Sequence, residues 1–261
     1  MKALKAAVAF LPQAWASAWL ALILMFAVVA GGPLLLAGQQ LPLMFAPLIL
    51  IFSLLLLKLI SNGALYRIAL FGKDARAEGL GFGGVQIARP ELRLLLASLI
   101  VAAFVLLVAG AVFIVFAMAL SLSGLAAGYD SSLEAVRAIW QRHSGVDYVF
   151  IVYIIAAALF LIFVVLKFTL MPAANIGGRK LVTLNALGLS SGNVGKLFVG
   201  LAAIVLPFVL SCGLAIHHFS QGSAFIFLHS ALLALGIFGI FPLIVGFLAS
   251  AYRQIMAIRS K

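Results

Sequence analysis

Six long apolar stretches divide the chain, at residues 14–36, 43–60, 90–122, 148–170, 194–216 and 225–249. The segments between them carry most of the charge. Apolar runs of about 18 residues or more read as membrane-spanning helices. A membrane β-barrel would instead show short alternating segments. The pattern predicts an all-α polytopic membrane protein, one domain over residues 1–261, with six transmembrane helices and short interfacial amphipathic helices.

The breaks between the runs have recognisable punctuation. Residues 1–14 carry Lys2 and Lys5, and Pro12 separates them from the first span, where Trp15 and Trp19 read as boundary aromatics. The charged start and the AVVA before Gly31 have the outline of a signal peptide, but the apolar run continues past Gly31-Gly32-Pro33. The reading is an uncleaved span. A tight turn is expected at Gln39-Gln40. Pro90 and Glu91 suit the first turn of the third span, where Pro is tolerated and a carboxylate complements the helix dipole. Between Gly124 and Gly145, Ser131 and Glu134 form a capping box. Leu133, Val136, Ile139 and Trp140 share one side of the helix that follows, so it is expected to lie on the outer membrane surface.

Charge gives the threading. The chain is 66% hydrophobic and only 9% charged, with a net charge of +11. A soluble domain carries about 25% charged residues. With the amino end inside, fourteen of the 17 lysines and arginines fall on the inner side, Arg137 and Arg142 fall outside, and Lys58 sits in the inner part of its span. That bias predicts both termini on the cytoplasmic side of a bacterial inner membrane. The basic charge is read as an orientation signal and not as a nucleic-acid surface, because the aromatic interleaving and folded module of a nucleic-acid reader are missing.

Candidate chemistry is sparse. No Asp or Glu falls within an expected span core, and no H-E-x-x-H or G-x-S-x-G occurs. Gly79 to Gly84 formally match G-x-G-x-x-G, but no strand precedes them, so they read as a flexible loop. The lone Cys212 lies in an apolar run and has no intrachain disulfide partner. His143, His217, His218 and His229 are all expected near the outer face, with no carboxylate or thiol fixed beside them. No metal, cofactor or catalytic residue is assigned. Pro207 and Pro242 lie inside the last two spans, with Gly236, Gly239 and Gly246 near the second, and read as kinks and close-packing points.

The two basic connectors carry the functional hint. One follows Lys58 and includes Arg67; the other follows Lys167 and includes Arg179 and Lys180. Arg179 and Lys180 are expected at the start of a short helix, where a bound anion would offset their conflict with the dipole. Arg67 is expected at headgroup level, with Lys58 and Lys167 reaching helix-end carbonyls or lipid phosphates. Lys58, Arg67, Lys167, Arg179 and Lys180 are therefore candidate contacts for anionic lipid. The two connectors are also expected to be structural repeats, with a helix running past each lysine into a short surface helix.

The second connector, PAANIGGRKLVTLNALGLSSGNVGKLF, together with the six spans, resembles bacterial inner-membrane proteins of the YciC type. It also resembles the membrane domain attached to some glycerophosphodiester phosphodiesterases. The resemblance implies a non-catalytic inner-membrane module. The functional expectation is a non-enzymatic membrane protein whose basic cytoplasmic face engages anionic phospholipid, a protein partner or a second copy of the chain. The alternatives are a small transporter or channel built on the kinked fifth and sixth spans, and a lipid-modifying membrane enzyme.

Overall fold

The computed structural model describes residues 2–37, 45–122, 145–218 and 223–259. All regular structure among them is helical, and six helices are long and apolar enough to cross a membrane. In order they are α1 (Lys2–Ala37), α2 (Phe45–Phe71), α3 (Arg89–Leu122), α4 (Gly145–Phe168), the short α5 (Met171–Gly177) and α6 (Ala186–Leu189), α7 (Val194–His218), α8 (Ser223–Ala234) and α9 (Phe241–Arg259). A π-turn, Leu235–Ile240, joins α8 to α9, and the three together make the sixth span. Two 3-10 turns, Gly72–Ala75 and Phe82–Gly84, lie between α2 and α3. The turn at Gln39-Gln40 and the amphipathic helix expected around 131–142 lie outside the described residues.

Helix limits differ from the sequence reading where tertiary packing intervenes. Pro12 does not divide α1, which is helical from Lys2; the irregular residue is Ala18, at φ −119° and ψ 19°. The Phe82–Gly84 turn folds back on this point. A Cβ on Gly84 would lie 2.8 Å from the Ala18 Cα, and φ there is +84°, so the position requires glycine. The Phe82 ring meets Trp19 edge-on at 5.9 Å. The Gly79–Gly84 segment read as a flexible loop therefore ends in a packed turn, with Gly83 and Gly84 buried.

α2 continues to Phe71 instead of stopping near Ile60. Its C-terminal half is the centre of the fold, packed by α1, α3, α5 and α9, and Ile60, Ala64, Leu65, Ile68 and Ala69 are all buried. Leu48, Ile51, Phe52 and Leu55, nearer the other end, are exposed as lipid-facing residues are. α4 behaves differently. It stops at Phe168, one residue past Lys167. Pro172 has no N–H to continue the ladder, and the Thr169 hydroxyl donates to the Leu166 carbonyl at 2.8 Å. The expected equivalence of the two connectors thus fails at its first point: one lysine lies deep within a continuous helix and the other in a last turn.

Lipid tails are as apolar as leucine, so membrane helices associate through close packing and hydrogen bonds. Ala7, Ala14 and Ala21 recur along α1 and are fully buried, with Phe10 and Ala18 interleaved. Gly246 of α9 lies so close that a Cβ there would meet the Phe10 ring at 2.7 Å. One hydrophobic cluster draws on all six spans and is concentrated toward the two connectors. Farther away, α3 and α4 meet through a separate cluster of Phe116, Leu120 and Phe150, and the Tyr153 hydroxyl donates to the Val112 carbonyl at 2.9 Å.

The π-turn in the sixth span is closed by a hydrogen bond. Pro242 leaves the carbonyl four residues back, that of Phe238, without its usual helical donor. The indole N–H of Trp15 donates to that carbonyl at 2.7 Å. Trp15, read as a boundary aromatic, therefore joins α1 to the π-turn. Trp15→Phe should cost about 1 kcal/mol. Thermal unfolding in detergent reads this directly, and an unchanged midpoint would mean that another donor replaces the indole.

Candidate functional site

The central polar feature is an ion pair inside the protein. Arg67 lies near the end of α2 and Glu91 in the first turn of α3, and each is 1% exposed. Arg67 Nη2 donates to Glu91 Oε2 at 3.0 Å, and Nη1 lies 2.5 Å from Oε1. Glu91 also accepts from the backbone N–H of Ala88 at 3.1 Å, the acidic half of a capping box at the start of α3. Gln86 donates weakly to Oε1 at 3.4 Å and accepts from the Gly81 N–H at 2.8 Å. Gly63, one turn before Arg67, makes room: a Cβ there would stand 2.6 Å from Glu91 Oε1. Arg67 thus leaves the set of lipid-facing candidates. Its charge is matched from within, and its place at the crowded centre of the fold explains the inward turn.

The second connector is held by Asn175 of α5. Its amide nitrogen donates to the carbonyls of Met171 and Val182 at 3.0 and 2.7 Å, and its oxygen accepts the Val182 N–H at 3.0 Å. The residue is 1% exposed. Arg179 and Lys180 follow the end of α5 and do not begin a helix; the next one, α6, starts at Ala186. Arg179 sits at φ +51°, the left-handed geometry common just beyond a helix end. A cation there is favoured by the helix dipole, so the expected conflict is absent and the anion argument built on it does not hold. The Arg179 guanidinium pairs with Glu78 of the first connector, and its carbonyl accepts from Arg93.

Several arginines tie the connectors to the spans. Arg253 donates to the Ala69 carbonyl near the end of α2, and Arg259 to the Gly188 carbonyl of α6 at 2.6 Å. With Arg67, Arg93 and Arg179, these arginines join elements across the connectors, as a planar multidonor fork suits. Lys2, Lys5, Lys58, Lys73, Lys180 and Lys196 are exposed. Lys58 faces outward from α2 about 13 Å along the helix from Arg67. Lys167 is partly buried, its ammonium 5.3 Å from the centre of the Phe163 ring, while its own carbonyl accepts from Ser190 Oγ at 2.9 Å.

The structure therefore joins Arg179 to the first connector, turns Arg67 inward, and leaves Lys58, Lys167 and Lys180 apart from one another. Sequence reasoning found Glu91 only as a helix-start residue. The missed signal was a lone carboxylate opening an apolar run, soon after an arginine that itself extended one. No group of three or more His, Cys, Asp or Glu that could hold a metal occurs among the described residues. Comparison with protein-family models, curated proteins and solved structures gives no match to this chain.

Proposed function

We propose that the chain is a non-enzymatic protein of a bacterial inner membrane, with the connectors and both termini facing the cytoplasm and engaging anionic phospholipid. The observation that carries this reading is the exposure of the cations. Lys2, Lys5, Lys58, Lys73, Lys180 and Lys196 project outward, and so do Arg76 and Arg89, whereas Arg67 is turned inward to Glu91. Exposed lysines near an anionic leaflet each contribute about 1 kcal/mol of attraction. Lys58 suits a snorkelling role, its stem along the bilayer and its ammonium toward phosphates.

Two measurements test it. Reporter fusions after Lys73, Arg179 and Lys261 should report cytoplasm, and fusions near Gln39, Ser131 and Gln221 the opposite side. A periplasmic signal at Lys261 overturns the orientation. Replacing Lys58 and Lys167 together with Met keeps the stems and removes the charges. Anionic lipid co-purifying in mild detergent should then fall while the fold persists; unchanged lipid content removes these two lysines from the lipid-binding role. The transporter alternative draws on the kinks at Pro207 and Pro242. Phe208 packs against Gly236 and Trp15 takes the Phe238 carbonyl, which favours close packing near those prolines over a pathway.

A further inference from the structure

A trough runs between the start of α1, the first turns of α7 and the second half of α9. One end is a recess of about 250 Å³ with Lys2, Asn193, Lys196 and Gln254 among its lining residues. A second recess of about 400 Å³ adjoins it, sharing Lys196 and Phe247, and continues along Leu4, Val199 and Ala203. The Phe247 ring packs directly against Gly200, where a Cβ would collide with it, and so forms part of the apolar wall. Val199 is 66% exposed, which leaves the apolar end open along a membrane-spanning helix. Among the described residues no carboxylate lines either part, and Lys2 and Lys196 are both exposed.

We propose that this trough holds one anionic phospholipid, with its phosphate at Lys2 and Lys196 and an acyl chain along Val199, Ala203 and Phe247. The proposal rests on the reading that this face meets an anionic leaflet, and it names a discrete site that the connectors do not supply. The cationic end gives charge complementarity to a phosphate, and Asn193 and Gln254 add neutral hydrogen-bonding groups to the same recess. The apolar end selects a lipid over a free anion, because a soluble phosphate would use only the rim. Both ends are continuous, so head and tail are bound together.

The test uses the full chain in nanodiscs of mixed phosphatidylglycerol and phosphatidylcholine, released for native mass spectrometry. The unmodified protein should retain one phosphatidylglycerol. Lys2→Gln with Lys196→Gln should weaken that retention about thirtyfold, given two lysines near a phosphate. Ala203→Phe, or Val199→Trp as a second variant, fills the apolar end at exposed positions without altering charge, and should also displace the lipid. Lys73→Gln with Lys180→Gln, outside the trough, should leave the tightly held lipid in place. Retention in both trough variants with loss in the Lys73/Lys180 pair overturns the trough and leaves the broader reading standing. No preference for phosphatidylglycerol in any form overturns both. Displacement by excess inorganic phosphate, with Ala203→Phe and Val199→Trp without effect, makes the site a free-anion rim and overturns the lipid assignment.

Discussion

Glu91→Gln should destabilise the protein by about 3–5 kcal/mol, the range for removing one partner of a buried ion pair. The substitution keeps the shape of the side chain and a carbonyl able to accept the Ala88 N–H. What it removes is the charge opposite Arg67, which is 1% exposed. Arg67→Met should cost a similar amount, since it leaves Glu91 buried without its cation. The double variant should be much closer to the unmodified protein than the two losses added together, because two neutral side chains bring no unpaired charge. Chemical unfolding of all four forms in one detergent gives the coupling directly. Losses that simply add would mean that Arg67 and Glu91 are stabilised independently, and that the 3.0 Å contact contributes little.

Asn175→Leu carries the next largest expected effect. The amide serves three backbone groups, and two of them, the N–H and C=O of Val182, belong to a segment with little regular structure of its own. Leucine is close in size but leaves both without this partner. At about 1–3 kcal/mol for each buried group left unmade, the loss should reach several kcal/mol. The damage should be local at first. Hydrogen exchange should quicken over 178–190 before the spans open, because α5 and α6 are short and depend on this clasp. Uniform exchange throughout the chain would show that Asn175 supports the whole bundle instead. Asn175→Asp separates the two roles of the amide: the carboxylate can still accept the Val182 N–H but cannot donate to the two carbonyls.

The six spans were legible because apolar length is a strong signal that survives packing. Helix ends were less so. The apolar run of α2 was bounded near Ile60, and the helix expected to run past Lys58 does so, as one continuous element to Phe71. The better stop signal was Gly72, at φ +57° just after Phe71, the left-handed glycine that often ends a helix. The end of α4 was readable because Pro172 is a local instruction. The inward turn of Arg67 was not, since a charge in a sequence carries no direction; it depends on Glu91, 24 residues further on, and on the room that Gly63 leaves for it. Lys2 and Lys196 share a recess only after α1, α7 and α9 assemble, and no spacing along the chain announces it.

The length of α3 sets a condition on the bilayer. Its 34 residues extend about 51 Å, against a hydrocarbon layer of about 30 Å. The buried pair at Glu91 anchors its first turn beside α2, and the apolar sequence continues without a charged residue from Leu94 to Leu122. The uncharged stretch from Leu94 to Leu122 is about 43 Å long, so only a tilt near the top of the observed range, about 40°, brings it close to a match. At smaller tilts the distal turns pass beyond the hydrocarbon, or the surrounding lipid stretches to cover them. Among the described residues α3 and α4 meet there through the small Phe116, Leu120 and Phe150 cluster and the Tyr153 hydrogen bond, so that end is where a change in bilayer thickness would be felt first.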